Sequence, residues 1–184
     1  MANVEIRRWN EVASGPGRDV LLADLDHIFF TSSGRQSFES AQEKAAFRER
    51  WLGRYLEHFP QYALVAVESG GRAVGYIIGS LDDPARDLRF SDIAALAHFS
   101  ALTPRFPAQL HINIEANWRG HGLGARLIAA FSDMAREAGA PGVHAITARG
   151  FRNVSFYLAN DFLERGAVEI DGRELLFLGR DLSR

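Results

Sequence analysis

Residues 109 to 138 join three patterns end to end. QLHINIEA alternates apolar and polar side chains, NWRGHGLG places glycines at 120, 122 and 124, and ARLIAAFSDMAREA repeats apolar residues at helical spacing. A period of two marks a strand and a period of 3.6 a helix, so this stretch must fold as strand, tight loop and helix in immediate succession. Such a loop leaves backbone N–H groups unpaired at the positive end of a helix dipole, a place suited to phosphate oxygens. Glycine serves there because a Cβ would hold an anion off the backbone and because a tight loop can need positive φ. A sharp turn with no ligand would use the same glycines. The spacing excludes two guests: residue 125 is Ala where a dinucleotide fingerprint needs Gly, and no Gly-Lys-Ser/Thr follows as a P-loop requires.

The rest of the chain predicts a mixed α/β (α+β) fold. NVEIRRW (3 to 9) reads as an opening strand, ASGPGRD as a turn and DVLLADLDHIFF (19 to 30) as a helix. TSSGRQS interrupts, and a second helix is expected over 37 to 58, capped by Ser37, with Phe38, Ala41, Ala45, Phe47, Trp51, Leu52, Tyr55 and Leu56 as its apolar stripe. YALVAVE and AVGYIIGSL, joined through SGGR, predict an antiparallel hairpin. Residues 82 to 107 are too many for a hairpin loop and suggest a helix near 91 to 100. After the strand, loop and helix of 109 to 138 come a strand (VHAITA), a short helix (NVSFYLAN) and two closing strands (LERGAVEI and RELLFLGRDL). The first half lacks βαβ alternation, which favours a mostly antiparallel sheet of six to seven strands over a doubly wound one.

Composition narrows the function classes. With 184 residues, 47% hydrophobic and 24% charged, one domain spanning 1 to 184 is expected. The formal charge of −2 has no long block of one sign, so nucleic acid is excluded as a principal partner. The absence of cysteine excludes disulfides, thiolate metal sites and a cysteine nucleophile. His27, His58, His98 and His144 show no metal-ligand spacing, so no metal is expected. MANVEIRRWN lacks the apolar run of a signal peptide, and no apolar stretch reaches the ~20 residues of a membrane span. These features predict a soluble cytoplasmic protein, monomeric or homodimeric, with no membrane partner.

Arg119, Gly122 and Gly124 form R-x-x-G-x-G between an alternating strand and a long amphipathic helix, and NVSFY places an asparagine four residues before a tyrosine. In these motifs and in its element order the chain resembles the GNAT superfamily of N-acetyltransferases. PAQLHINIEANWRGHGLG, the hairpin ending GSLD and the closing LGRDL look most like the acetyltransferase-like domain of O-GlcNAcases and its stand-alone bacterial relatives. The resemblance implies a sheet splayed at its central strands and flanked by helices. It implies acetyl-coenzyme A held by Ile112, Ile114, Arg119, Gly120, His121, Gly122, Leu123, Gly124, Ala125, Asn153 and Tyr157. One departure stands out: where the family usually reads Gly-Phe after Tyr and three residues, this chain has Asp161 and Phe162. Asn160 or Asp161 could take the left-handed conformation that the glycine supplies.

The period of two puts Leu110, Ile112 and Ile114 on one face of the strand and His111, Asn113 and Glu115 on the other. A polar face is costly to bury unless each group finds a partner, so it is either solvent-exposed or part of a site. Acetyl transfer to a primary amine needs a neutral nitrogen, whereas an alkyl amine of pKa ~10.4 is mostly protonated. Glu115 and His111 are the leading candidates for the base, with Asp82 or Asp83 behind them. The resemblance implies a strand N–H near Ile114 for the thioester oxyanion and Tyr157 as the acid for the leaving thiolate, a phenol of ordinary pKa ~10. Asn153 reads either as a helix N-cap or as a cofactor contact. Asn113, Asp82, Phe30, Ser32 and Arg35 are candidates for acceptor binding, the last three around FFTSSGRQSF, which could equally be a plain polar loop. The function these signs predict is acetyl-coenzyme A dependent N-acetylation by direct attack in a ternary complex. The alternative is a non-catalytic acyl-coenzyme A binding or protein-interaction domain of the same fold.

Overall fold

The computed structural model describes residues 3 to 182. Seven strands form one mixed, open sheet in the order β1-β2-β3-β4-β5-β7-β6. They are β1 (Val4–Arg8), β2 (Leu64–Glu68), β3 (Ala73–Ser80), β4 (Ala108–Ile114), β5 (Gly142–Ala148), β6 (Leu163–Ile170) and β7 (Arg173–Asp181). The helices are α1 (Trp9–Val12), α2 (Arg18–Ser32), α3 (Ala41–Arg48), α4 (Arg54–His58), α5 (Ala94–His98), α6 (Leu123–Glu137) and α7 (Arg152–Leu158). β1 with β2, β2 with β3, β5 with β7 and β6 with β7 pair antiparallel, whereas β4 runs parallel to β5 with the register Ala108↔Val143 and Gln109↔His144. The mostly antiparallel α/β class and the strand count agree with the expectation from periodicity. No helix of the described residues is long and apolar enough to cross a membrane.

Contacts divide the chain into two compact units, each discontinuous in sequence. The first runs to Gly79 and takes up His111–Phe131; the second consists of Ser80–Leu110 and Ser132 onward.

In the first unit β1 pairs with β2 from Val4↔Glu68 to Arg8↔Leu64, and β2 with β3 from Leu64↔Ile77, with a bulge between Ala66 and Val67. Leu25, Ile28 and Phe29 of α2 are buried, as are Leu52, Tyr55, Tyr76, Leu127 and Phe131. Asp24 sits on the same buried side of α2. Both its carboxylate oxygens accept from the Arg72 Nε–H, at 3.0 and 2.9 Å, and Oδ2 also accepts the Ala73 N–H at 2.9 Å, which pins the helix to the start of β3. Burial pushes the Asp24 pKa up, but the Arg72 fork and the Ala73 N–H together outweigh it and hold the carboxyl below its ordinary value.

The helix expected over 37 to 58 starts later and is interrupted. Ser40, in extended conformation, is its cap: the hydroxyl accepts from the Glu43 N–H at 3.1 Å, while Ser37 stays in the loop. Glu43 in turn accepts the Glu39 N–H at 2.7 Å and pairs with Arg35. S40-A-Q-E43 is thus a variant capping box, a spacing that outcompetes Ser37 because both partners of the box are present. Phe38 lies before the helix and packs edge-on against Phe30 at 6.0 Å and against Phe47 at 5.3 Å. Between α3 and α4 a π-helical turn covers Glu49–Gly53. The short α1 was hidden in the sequence, where four residues are too few for a period to show.

In the second unit β5 and β7 pair over seven positions, Gly142↔Asp181 to Ala148↔Leu175, and β6 closes on β7 through the turn at Asp171 and Gly172. Both turn residues are left-handed, φ 51° and 72°, as a two-residue hairpin turn of this type demands. Phe99, Phe106 and Phe177 form one buried cluster of this unit, with Leu102, Ile146, Val168 and Leu175 packed around them. The long insertion holds a 3-10 turn (Leu88–Phe90) and α5, shorter than the helix expected over 91 to 100. Asp161 has φ 64°, so it takes the left-handed conformation that the sequence assigned to Asn160 or Asp161.

Candidate functional site

The first unit carries the strand, loop and helix start together. Past Ile114, Glu115 donates its N–H to Val74 O at 3.0 Å, and a 3-10 turn (Ala116–Trp118) leads into the glycines. Gly120 and Gly122 both have φ +77°, and a Cβ at either would meet nothing within 4 Å, so glycine is required there by backbone conformation and not by crowding. Gly124 has no positive φ and lies buried in the first turn of α6. The helical bonds begin with Arg126 N–H to Gly122 O at 3.1 Å, which leaves the N–H groups of Leu123, Gly124 and Ala125 ahead of the ladder. The first turn of α6 contains no acidic residue. Backbone donors, a positive dipole end and the absence of a competing carboxylate suit this terminus to an anion.

Arg119 organises the loop. Its Nε donates to Ile114 O at 2.8 Å and its Nη2 to Ser32 Oγ at 3.1 Å, so the end of β4, the glycine loop and the last residue of α2 are tied through one guanidinium. Ser32 and Arg119, assigned from sequence to acceptor and cofactor respectively, therefore bond each other. Arg126 adds a second tie, donating to Val4 O at 2.9 Å. Arg35 turns into its own loop, with Nε to Ser37 O at 3.2 Å, an ion pair with Glu43, and its guanidinium over the Phe38 ring at 4.9 Å. Phe30 is half-buried with Lys44 Nζ 4.5 Å above it.

The polar face of β4 is half-buried and has partners, which decides against a solvent-exposed face. Asn113 Nδ2 donates to the Tyr76 hydroxyl at 2.8 Å, and His111 Nε2 stands 3.0 Å from the Tyr55 hydroxyl. Burial drives the Tyr76 pKa well above the ordinary phenol range, with the Asn113 bond pulling weakly the other way. Glu115 lies one residue beyond the strand, half-buried, and its charge is among those that raise the pKa of Arg72, after the larger effect of Asp24. His121 and Ala125 are exposed, Leu123 is buried, and Ile112 and Ile114 are half-buried. Gly75 was not singled out from the sequence. A Cβ there would come within 3.2 Å of Ile114 Cγ1 and 3.3 Å of Asn113 O, so it admits β4 at close range.

The second unit carries Asp82, Asn153 and Tyr157. Asp82 is exposed. Asn153 is not the cap of α7: Phe151 occupies that position with no side-chain cap bond, and Asn153 Oδ1 accepts from Thr147 Oγ1 at 2.8 Å. The Thr147 bond fixes the amide with its NH2 as the remaining donor group. Tyr157 is buried, its ring edge-on to Phe162 at 5.3 Å and close to Phe156 at 5.4 Å. Burial pushes its phenol well above the ordinary range, which corrects the expectation of a normal pKa: desolvation disfavours phenolate. Among the described residues no group of three or more His, Asp or Glu could hold a metal ion.

Tyr55, Tyr76, Trp51 and Thr147 are the residues of these clusters that the sequence reading passed over or assigned to core. Trp51 and Tyr55 at i and i+4 were visible as a stripe, but the edge-to-face contact of Trp51 with the His111 ring at 5.4 Å and the pairing of Tyr55 with His111, 56 residues away, carry no local signal.

Residues 23–162 match the model of the Acetyltransferase (GNAT) family. No curated protein matches the chain. Among solved structures, SsHAT is 23% identical over 99% of this chain and 100% of its own, with a TM-score of 0.72. An N-acetyltransferase from Staphylococcus aureus Mu50 is 17% identical over 99% and 100%, TM-score 0.63. The NatC complex bound to Gag peptide and CoA is 12% identical over 98% and 99%, TM-score 0.65. At these identities the likeness is one of fold.

Proposed function

Because this chain belongs to the acetyltransferase (GNAT) family, we propose that it transfers an acetyl group from acetyl-coenzyme A to a primary amine by direct attack, as a single functional domain. The observation that carries the reading is the glycine loop: two left-handed glycines between β4 and a fifteen-residue helix, with three N–H groups ahead of the first helical bond. The pyrophosphate is assigned to the N–H groups of residues 120 to 125, with Arg119 bracing the loop from behind through Ile114 O and Ser32. Ile112 and Ile114 are assigned to the acyl arm, and Asn153, steadied by Thr147, to a further cofactor contact. The CoA bound to NatC supports the choice of cofactor.

In the reaction a C–N bond forms at the thioester carbonyl carbon and the C–S bond breaks. Glu115 is assigned the amine proton, directly or through water, and His111 and Asn113 the acceptor side of β4, with Phe30, Ser32, Arg35 and Asp82 as outlying acceptor contacts. Tyr157 is assigned the proton for the departing sulfur. As a buried phenol it stays protonated at neutral pH, as a donor must. The narrower likeness to the acetyltransferase-like domain of O-GlcNAcases rests on the PAQLHINIEANWRGHGLG stretch and on LGRDL.

The test is release of coenzyme A thiol from acetyl-coenzyme A in the presence of an aliphatic diamine, an aminosugar and a peptide with a free N-terminus. Amine-dependent thiol release by the wild type, lost in Glu115→Gln and Tyr157→Phe, is the expected result. Acetyl-coenzyme A binding without turnover of any amine would overturn the transferase reading.

A further inference from the structure

Within the first unit the Glu115 N–H bonds Val74 O at 3.0 Å, and two residues along each strand from that bond Asn113 and Tyr76 face each other. Asn113 Nδ2 donates to the Tyr76 hydroxyl at 2.8 Å. Tyr76 has 0% exposure, and the Asp26–Arg48 ion pair, 2.7 Å between α2 and α3, is near enough for both charges to act on its phenol. A hydroxyl on a ring packed on all sides cannot swing away, so it fixes the amide that it bonds.

A planar amide held through its NH2 has its carbonyl oxygen turned away from that partner and able to accept. Asn113 Oδ1 has no hydrogen-bond partner among the described residues. His144 Nε2 is the one sealed-in side-chain polar atom among them that lacks a partner, so the unpartnered oxygen of the half-buried Asn113 reaches open space beside β4. Glu115 follows two residues on, about 6.6 Å along an extended chain, and alternation puts its carboxylate on the same face. Two N–H···O bonds of about 2.9 Å meeting at one nitrogen bridge such a gap.

We infer that Asn113 Oδ1, positioned by Tyr76, accepts one N–H of the acceptor amine while Glu115 takes the other proton, which restricts the acceptor to primary amines. This rests on the transferase reading above. The lone pair of a neutral primary amine forms the C–N bond at the thioester carbonyl carbon, and the C–S bond breaks as coenzyme A leaves with a proton. Of the two amine protons, one goes to Glu115; the other stays bonded to Asn113 Oδ1 and remains on nitrogen in the amide product. A secondary amine has a single N–H, so its transfer to Glu115 leaves Asn113 Oδ1 without a donor.

The experiment measures thiol release from acetyl-coenzyme A by the full chain with each amine of the panel and with its derivative N-methylated at every primary amine, on the wild type, Asn113→Leu, Asn113→Asp and Tyr76→Phe. Wild-type kcat/KM is expected to be about tenfold higher for the primary amine, the worth of one hydrogen bond, and Asn113→Leu brings the ratio close to one by slowing the primary amine alone. Asn113→Asp, which keeps an oxygen in the same place, turns the primary amine over faster than Asn113→Leu does. Tyr76→Phe keeps the ring but releases the amide: the KM of the primary amine rises about three- to tenfold with the KM for acetyl-coenzyme A unchanged. The Asn113 NH2 protons, followed in the full chain labelled with 15N-asparagine, move upfield in the same variant. An unchanged ratio in Asn113→Leu overturns the proposal, as does Asn113→Asp no faster than Asn113→Leu, or NH2 signals that stay in place in Tyr76→Phe. A wild type that turns over no amine fails the transferase reading itself, whereas equal turnover of both members of each pair by the wild type fails this proposal alone.

Discussion

Tyr157 and His144 show how burial gives two ionisable side chains opposite uses. Burial raises the Tyr157 pKa and so keeps the phenol protonated until negative charge develops beside it. Tyr157→Phe keeps the ring packing against Phe162 and removes only the hydroxyl. Turnover should fall by about a hundredfold or more, the scale of a lost general acid, with the dissociation constant for acetyl-coenzyme A changed by less than about twofold. Calorimetry beside thiol-release kinetics reads both, and a parallel loss of binding and turnover would take the acid role away from Tyr157. His144 is a structural counterpart. It stacks on Phe177 at 4.5 Å, its Nδ1 bonds Phe106 O, and its Nε2 has no partner among the described residues. Burial lowers its pKa to about 4, against the pull of the Phe106 carbonyl and Asp83. The unfolded chain, with an ordinary histidine pKa near 6.5, binds this proton more readily than the folded one. Stability is therefore lost as pH falls from about 6.5 to about 4, by roughly 2 to 3 kcal/mol. His144→Asn, which retains a donor for Phe106 O, should be less stable at pH 7 yet show a flatter stability profile between pH 7 and 4.5 in urea titrations. A profile as steep as the wild type's would assign the acid sensitivity elsewhere.

The elements differ in how openly the sequence announced them. β4, the glycine loop and α6 were legible because three periods meet within thirty residues, and the hairpins because their turns carry glycine at the right places. The start of α3 was misread: Ser37 and Ser40 are both plausible caps by residue type, and only the glutamate three residues after Ser40 separates them. Ser40→Ala should cost about 1 kcal/mol in chemical unfolding, the usual worth of such a cap, while Ser37→Ala should cost close to nothing. The same reasoning divides the glycines of the loop. Gly122 is left-handed and supplies the carbonyl that begins the α6 ladder, whereas Gly124 is helical. An alanine at 122 would have to bear a left-handed conformation costing roughly 1–2 kcal/mol or shift the loop, so Gly122→Ala should weaken acetyl-coenzyme A binding by about tenfold. Unchanged affinity in a folded Gly122→Ala protein would remove the loop from the cofactor site.

At the scale of the whole chain, the strands lie side by side in chain order from β1 to β5, but β7 is inserted between β5 and β6, which the order of elements does not convey. The parallel pairing of β4 with β5 follows from the helix between them, since parallel neighbours need a crossover. What the sequence could not convey is the set of partners that make the polar face of β4 tenable. Asn113 with Tyr76 and His111 with Tyr55 join residues 37 and 56 positions apart, and no periodicity reaches that far. The division into two discontinuous units was likewise hidden, because neither Gly79/Ser80 nor Leu110/His111 is marked by a linker or a change of composition. Cofactor binding links this level to the loop. A ligand that binds only the folded chain stabilises it by mass action, about 2.7 kcal/mol at a hundredfold excess over its dissociation constant. For a chain of this size each kcal/mol raises Tm by roughly 2–4 °C, so saturating acetyl-coenzyme A should raise Tm by about 5–10 °C. ATP shares the adenine and phosphates of the cofactor but lacks its pantetheine arm, and NAD presents the other dinucleotide pyrophosphate. With Ala125 in place of the fingerprint glycine and no P-loop lysine, both should shift Tm far less. Scanning calorimetry with the three ligands side by side decides the matter: an equal shift with ATP or NAD would mean that the loop reads phosphate alone, and the cofactor assignment would fall with it.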